Sequence, residues 1–131
     1  VGSFGMECLS RGIRKVTFVE NYKGVLPLLK KNLLSLKSTQ NYEIIEKNIY
    51  DNDFFLKLND NFDIIFLDPP YKDKNLENLL LKIKKQKKLN KNGIIIIHRH
   101  KNELSSYKSE FEIIEEKKYG ISKITFLSQL N

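Results

Sequence analysis

Four consecutive residues, Asp68-Pro69-Pro70-Tyr71, follow an apolar run and have types suited to holding a flat molecule that carries an amino group. Because proline fixes its own φ and keeps the preceding residue out of the helical region, the two prolines restrain the Asp68 carboxylate and the nearby carbonyl oxygens. Those oxygens can accept both protons of an exocyclic NH₂ group, while the Tyr71 ring provides a stacking surface. The stretch therefore predicts a site that orients an amino nitrogen for reaction.

Two other interpretations of this stretch stay open. An aspartate after an apolar strand can hold magnesium in nucleotide-hydrolysing proteins, but that arrangement also needs a phosphate loop ending in Lys-Ser or Lys-Thr, and the sequence contains none. The two prolines can also form a purely structural turn.

A glycine-containing segment, VGSFGMECLSRG, opens the chain and leads into a predicted helix. Gly2 and Gly5 lie three residues apart, and glycine allows the backbone to approach a ligand or to make turns closed to other residues. This spacing indicates a loop for a nucleotide-like ligand, with a simple tight turn as the alternative. The apolar residues of the segment are predicted to be core, and Cys8 is predicted to be a buried helix thiol because nothing nearby would activate it.

Two further groups follow predicted strands. Glu20 ends a strand shortly after the glycines, where a carboxylate can accept hydrogen bonds from ribose hydroxyls, or can simply be a solvated strand end. Asn48 and the Ile49 backbone N–H follow the next strand, and an amide beside a free N–H can bind the edge of an adenine ring. The alternative for this segment is that Asp51 only caps the helix that follows.

These groups depend on a chain that alternates strands and helices. Strands are predicted at 15–20, 42–47, 62–68 and 93–98, and helices near 51–58 and 75–88. A further helix after the first strand carries apolar residues at helical spacing, namely Tyr22, Val25, Leu26, Leu29, Leu33 and Leu36. Asn21 is predicted to cap it, and Pro27 to kink it or delay its start.

The remaining residues, 111–129, have two β-rich runs around Tyr119-Gly120, which predicts a hairpin. Apolar strands separated by helices predict a parallel sheet covered on both faces. The expected fold class is therefore α/β, a Rossmann-like, doubly wound and mostly parallel sheet with an antiparallel C-terminal hairpin. Ligands of such sheets bind beyond the carboxyl ends of the strands, where the four groups above are predicted to lie.

Composition sets broader limits. The 131 residues correspond to one domain (1–131), and the net charge of +7 favours an anionic partner, nucleic acid first, unless the lysine excess is only compositional drift. A single cysteine excludes an internal disulfide and fits a reducing compartment. No apolar run has the length of a membrane helix and no signal peptide is recognised, so a cytoplasmic or organelle-matrix location is expected.

The segments VGSFGMECLSRG, VTFVEN and FDIIFLDPPY together resemble the RsmD family, the bacterial-type 16S rRNA guanine-N2 methyltransferases that use S-adenosylmethionine. The resemblance covers nearly the whole chain, and the segment from Gly2 to Gly12 is its more specific part. DPPY alone marks the wider class of amino-group methyltransferases. The implied fold is a class I methyltransferase, acting without a metal on 16S rRNA or a small-subunit assembly intermediate, with a monomer expected.

The resemblance also implies site residues. The implied cofactor-binding residues are Gly2, Ser3, Gly5, Glu20, Asn21, Asn48 and Ile49, and those implied to orient the target base are Asp68, Pro69, Pro70 and Tyr71. The family's loop begins with an aspartate-containing strand and another glycine, both before Val1, so the chain is expected to be incomplete at its N-terminus and to lack the first strand of the sheet. His98-Arg99-His100 stands where the family often has an acidic residue. Whether these basic residues contact RNA or reflect compositional drift stays open, and metal binding by the two histidines is not expected.

Other functions stay open. DPPY also permits methylation of adenine N6 in DNA or of a glutamine amide in protein. A non-catalytic RNA-binding module on a decayed methyltransferase fold is a third possibility. Lys72, Lys74 and the lysines within 82–91 are candidates for phosphate contacts, with solvated helix faces as the alternative.

Overall fold

The computed structural model describes residues 2–35, 41–69, 75–103, 107 and 110–130. The chain divides into two compact units, Val1–Phe54 and Phe55–Asn131. The alternation of helices and strands confirms the predicted α/β class. That the 131 residues form one methyltransferase domain stays a prediction.

The first unit contains α1 (Ser3–Ser10), β1 (Val16–Val19), α2 (Leu26–Leu34) and β2 (Tyr42–Ile45). The two strands are parallel, with Val16 opposite Tyr42, and lie within the predicted strand ranges. Helical and strand residues meet in one apolar cluster of Leu9, Phe18, Leu29 and Leu33. Met6 packs against this cluster, so its predicted core position is confirmed, whereas Phe4 is 36% exposed.

The predicted cap of α2 at Asn21 is wrong, whereas the delayed start predicted from Pro27 is confirmed. The helix begins at Leu26 after the N-cap Val25, which makes no side-chain cap, and Asn21 lies outside it. Proline lacks an N–H and clashes with the carbonyl four residues earlier, so Pro27 is tolerated only in the first helical turn. Tyr22 consequently lies before the helix and is 66% exposed, and Leu36 lies outside the described residues.

A short helix, α3 (Phe54–Lys57), spans the boundary between the units. The second unit continues with β3 (Phe62–Leu67), α4 (Leu76–Lys85), β4 (Leu89–His100), β5 (Phe111–Tyr119) and β6 (Ser122–Gln129). Their order in the sheet is β3-β4-β6-β5, with β3 and β4 parallel and β6 antiparallel to both of its neighbours. The predicted C-terminal hairpin is confirmed. The described strands form this sheet and the separate pair β1-β2, where one sheet was predicted.

β4 begins four residues earlier than the predicted strand. Its pairing with β3 shifts register between Phe62 and Ile64, and Asn92 in this irregular stretch has a φ of 65°. Asparagine tolerates this left-handed conformation, so a segment with the composition of a turn continues the strand instead. Beyond the irregularity β4 alternates, with Ile95, Ile97 and Arg99 buried on one face and His98 and His100 on the other. Among the described residues, no helix is long and apolar enough to cross a membrane.

Candidate functional site

Asp68 directly follows β3, whose last residue, Leu67, is buried. The Asp68 side chain is 60% exposed, as predicted for a carboxylate presented at the end of a strand. The carbonyl oxygens of Asp68 and Pro69 accept no hydrogen bond from the described residues. Pro70 and Tyr71, the other two predicted residues of this group, lie outside the described part of the chain.

His98 contacts Asp68 from the neighbouring strand. Because Leu67 pairs with Ile97 in the parallel ladder, Asp68 and His98 are adjacent at the same end of β3 and β4. The His98 Nδ1 atom is 3.1 Å from the Asp68 Oδ1 atom, and its Nε2 atom is 2.9 Å from the Ser122 Oγ atom. The carboxylate, the imidazole and the hydroxyl therefore form a line of two hydrogen bonds across three adjacent strands.

Which atom donates in each of these two hydrogen bonds follows from the chemistry of the three side chains. An ionised carboxylate can only accept, so the Nδ1 atom of His98 must carry the proton that it shares with Asp68. The hydroxyl of Ser122 can then donate to the Nε2 lone pair of a neutral ring. The Asp68 Oδ2 atom has no hydrogen-bond partner among the described residues. One carboxylate oxygen is thus held while the other remains able to accept.

The neighbours of His98 have other contacts. Arg99 is 8% exposed and its side chain lies 3.1 Å from the Glu103 carboxylate, so it is not available to RNA. Lys123, also buried, donates from Nζ to the Glu103 backbone carbonyl. His100 accepts the Asn102 backbone N–H at its Nδ1 atom. Of the sequence His98-Arg99-His100, only His98 is hydrogen-bonded to Asp68.

The two predicted loop glycines have conformational and packing roles. Gly2 has a φ of 69° and is the N-cap of α1, which has no side-chain cap and begins at the exposed Ser3. Gly5 lies inside α1, where an added Cβ would come within 2.5 Å of the Phe18 ring and 3.1 Å of Val16. The absence of a side chain at Gly5 therefore allows the helix to approach β1, with or without a ligand.

Glu20 follows β1 and is fixed by its own loop. Its Oε2 atom accepts the backbone N–H groups of Asn21 at 3.1 Å and Tyr22 at 3.2 Å. Its Oε1 atom has no partner among the described residues. The carboxylate is consequently oriented with one oxygen able to accept a hydroxyl, whereas the Asn21 side chain is exposed and makes no cap.

Asn48 is partly used by a local turn after β2. Its Oδ1 atom accepts the Tyr50 N–H at 2.9 Å, and its backbone carbonyl accepts the Asp51 N–H at 3.1 Å. The Ile49 N–H donates to no described residue. The side-chain NH₂ of Asn48 and this N–H are the donors that remain at the end of β2.

Cys8 lies in α1 as predicted, but it is half-buried and not buried. Partial burial raises the pKa of its thiol, the Glu7 charge raises it further, and Arg11 opposes both, which fits the expectation that nothing nearby activates it.

Two lysines have structural roles. Lys84 donates to the backbone carbonyls of Glu110 and Leu130, and the buried Lys88 donates to that of Leu58, so neither is free for phosphate. Lys72 and Lys74 lie outside the described residues. Within the described ranges, no three His, Cys, Asp or Glu side chains gather as a metal site.

The predicted residues thus lie in two groups, one in each compact unit. Of the described site residues, those in the first unit are Gly2, Ser3, Gly5, Glu20, Asn21, Asn48 and Ile49, and those in the second are Asp68 and Pro69. From the sequence, His98 was left open between an RNA contact and compositional drift, and Ser122 was not considered. The signal that was available is the predicted hairpin, because it makes Ser122 the first residue of a strand returning along the sheet.

Comparisons with known proteins show the family and the fold of the chain. The family model described as "Conserved hypothetical protein 95" matches residues 1–128. A protein of Haemophilus influenzae named "Ribosomal RNA small subunit methyltransferase D" is 36% identical over 124 residues, which cover 92% of this chain and 63% of the relative. The chain therefore spans less than two thirds of that relative's length.

Two solved structures show the fold. A conserved hypothetical protein of Streptococcus pyogenes superposes with a TM-score of 0.86 at 24% identity, over 96% of this chain and 78% of that one. A protein solved in complex with SAH superposes with a TM-score of 0.69 at 17% identity, over 98% of this chain and 42% of that one. The fold is the Rossmann-like fold of class I methyltransferases.

Proposed function

We propose, from the premise that this chain belongs to the conserved hypothetical protein 95 (RsmD) family, that it methylates the N2 amino group of a guanine in 16S rRNA, using S-adenosylmethionine. The observation that carries the proposal is the exposed Asp68 carboxylate at the end of β3, with one oxygen held by His98 and the other without a partner among the described residues. That arrangement suits a substrate which donates two protons from a single nitrogen.

Asp68 acts by position and charge. Its Oδ2 atom and the nearby backbone carbonyls accept the amino protons, which keeps electron density on the nitrogen and aims its lone pair at the methyl group. The cofactor, when bound, supplies a methyl group on a positively charged sulfonium. Transfer of that methyl group would leave the sulfonium neutral and put a positive charge on the amino nitrogen, whose proton would then be acidic enough to leave to water. Asp68 is therefore not required to be a strong base.

The residues of the first unit fit the cofactor. The Glu20 Oε1 atom is proposed to accept ribose hydroxyls, and the N–H groups of Asn21 and Tyr22, which orient the carboxylate through Oε2, support this role. The Ile49 N–H and the Asn48 NH₂ group are donors suited to the nitrogen edge of adenine. The uncapped start of α1 at Ser3, after Gly2, offers backbone N–H groups to a carboxylate.

The proposed partner is a splayed guanine in small-subunit RNA, free or within an assembly intermediate, bound by a monomer in the cytoplasm. A guanine must leave its stack to present its amino group, and RNA loops allow this at low cost. The net charge of +7 favours a phosphate backbone. Lys85, Lys87 and Lys91 are exposed and therefore the lysines of 82–91 best suited to phosphate contact.

The test uses the whole protein with isotopically labelled S-adenosylmethionine and small-subunit particles or RNA that lack the modification. Mass analysis of the digested RNA is expected to find the label in N2-methylguanosine. A D68N variant, which keeps the size of the side chain, is expected to transfer little label while binding the cofactor normally.

Other outcomes of this experiment contradict the proposal. When DNA or protein is offered as the substrate in parallel, label in N6-methyladenine of the DNA, or in glutamine of the protein, would keep the chemistry and change the target. Normal cofactor binding with no transfer to the RNA would overturn the proposed function. RNA binding without any cofactor binding would favour a non-catalytic module.

A further inference from the structure

We propose that His98 is a positioning residue, which orients the Asp68 carboxylate through its Nδ1–H while the Ser122 hydroxyl fixes the ring tautomer that makes this possible. The inference rests on the proposed function, because it concerns how Asp68 is held for the substrate. His98 stands on β4 between Asp68 beside β3 and Ser122 on β6, at 3.1 Å and 2.9 Å from them.

The Asp68 side chain needs a restraint that the backbone does not provide. The prolines of DPPY restrain the main chain at Asp68, but they do not select one rotamer of its side chain. With 60% of the side chain exposed, neighbouring atoms do not confine it by packing. Among the described residues, His98 is the side chain that bonds to this carboxylate, so it determines which oxygen is free.

The Ser122 contact determines the proton position on the ring. In the antiparallel ladder Ser122 pairs with His100 and Ile124 pairs with His98, so all four side chains lie on one face of the sheet. Ser122 reaches back along this face to the Nε2 atom of His98. A hydroxyl donating there occupies the Nε2 lone pair and leaves the proton of the neutral ring on Nδ1, facing Asp68.

An aspartate, a histidine and a serine in this order also occur in hydrolases that use a nucleophilic serine. In those enzymes the aspartate is buried and orients the histidine for the serine. Here the carboxylate is the exposed member of the line and the histidine is 34% exposed. The direction of action is therefore opposite, with serine and histidine orienting the aspartate.

Two nearly isosteric substitutions separate the contacts of His98. In H98N the side-chain NH₂ occupies the place of Nδ1 and can still donate to Asp68, whereas in H98Q it occupies the place of Nε2 and reaches towards Ser122. H98A and H98Q are expected to lower kcat about tenfold, the worth of one well-placed hydrogen bond. The KM for S-adenosylmethionine is expected to stay unchanged, and H98N to recover most of the loss. The matched control is H100Q, on the same face but without a contact to Asp68, which is expected to retain full kcat.

A second measurement does not depend on activity. Long-range ¹H–¹⁵N correlation spectra of the whole protein are expected to show the Nδ1–H tautomer of His98, with a mixture of tautomers in S122A. If methyl transfer is absent but this tautomer is present and depends on Ser122 and Asp68, the proposed function fails while the positioning contact stands. An Nε2–H tautomer, equal activity of H98N and H98Q, or labelling of Ser122 by a fluorophosphonate would overturn the inference. Thermal melting of each variant identifies any that has lost its fold.

Discussion

Gly5 and Asp68 both belong to motifs that suggested a function, but they are held in different ways. An added Cβ at Gly5 would meet the Phe18 ring at 2.5 Å, so the position is fixed by packing between α1 and β1. Asp68 is 60% exposed and is held by a hydrogen bond to His98. Packing therefore explains the glycine without any ligand, whereas nothing in the apolar core requires the carboxylate. A motif residue is stronger evidence for function when the fold has no need of it.

Of the variants that this comparison suggests, D68N is expected to have the largest effect, which is on methyl transfer. The amide oxygen still accepts a hydrogen bond, but its charge is lost and its NH₂ group can face the substrate's amino group. We expect methyl transfer to fall by about 100-fold or more, as when a preorganised electrostatic contact is removed. Stability is expected to change by no more than about 0.5 kcal/mol, because the side chain is exposed. Single-turnover rates and thermal melts measure the two quantities, and a large loss of stability would end the contrast with Gly5.

For G5A, by contrast, we expect the free energy of unfolding to fall. The methyl group overlaps the Phe18 ring, and overpacking of this kind costs about 1–3 kcal/mol. F18L in the same chain is expected to restore part of the loss, because it removes the overlapping ring atoms. The free energy of unfolding from urea titrations measures both variants.

Gly12 provides the control for G5A. Its φ is 87°, but an added Cβ would meet nothing within 4 Å. G12A is expected to cost about 1 kcal/mol of backbone strain, and F18L should not relieve it. Equal rescue of G5A and G12A by F18L would show that the ring is not the cause.

A smaller effect is expected for E20Q, the residue of the first unit whose free oxygen resembles that of Asp68. Hydrogen bonds to a charged group are worth about 1 kcal/mol more than neutral ones, so the affinity for S-adenosylmethionine should fall roughly tenfold or less. Isothermal titration measures it. E46Q is the matched control, since Glu46 is paired with Lys30 on the surface of the same unit. Equal affinities of the two variants for S-adenosylmethionine would show that Glu20 does not bind the cofactor.

The smallest effect concerns Cys8. Because burial raises the pKa of its thiol, the reactive thiolate is scarcer in the folded chain than in the unfolded one at the same pH. Alkylation by iodoacetamide at pH 8 should therefore be slower for the folded protein than for the chain in denaturant. The raised pKa also stabilises the folded chain at pH values below the pKa of the thiol in the unfolded chain. This stabilisation is lost as the pH rises through the pKa of the thiol in the folded chain. Faster alkylation of the folded protein would show instead that the fold activates the Cys8 thiol.

Local sequence patterns predicted much of the fold. The apolar runs located the strands, and Tyr119-Gly120 located the hairpin, where Gly120 has a φ of 56°. The exposed Asp68 at a strand end also followed from its own neighbours in sequence. Such features depend on residues close together in the chain, so the sequence alone was sufficient for them.

What sequence reasoning missed depends on distant residues. His98 lies 30 positions from Asp68 and 24 from Ser122, and only the register of three strands brings them together. The packing role of Gly5 likewise requires knowledge of where Phe18 lies. The error at Asn21 was local, because the delay that Pro27 imposes moves the helix start to Leu26 and leaves Asn21 too far upstream to cap it.

The strand order β3-β4-β6-β5 has a consequence for synthesis. β6 is the last of these strands to leave the ribosome, yet it lies between β4 and β5. Until it emerges, β4 exposes an unpaired edge of backbone groups, a state that invites association with other nascent chains. The β5–β6 hairpin can form within about 10 microseconds once both strands are free, so the length of the vulnerable interval depends on how soon β6 emerges and not on slow hairpin formation.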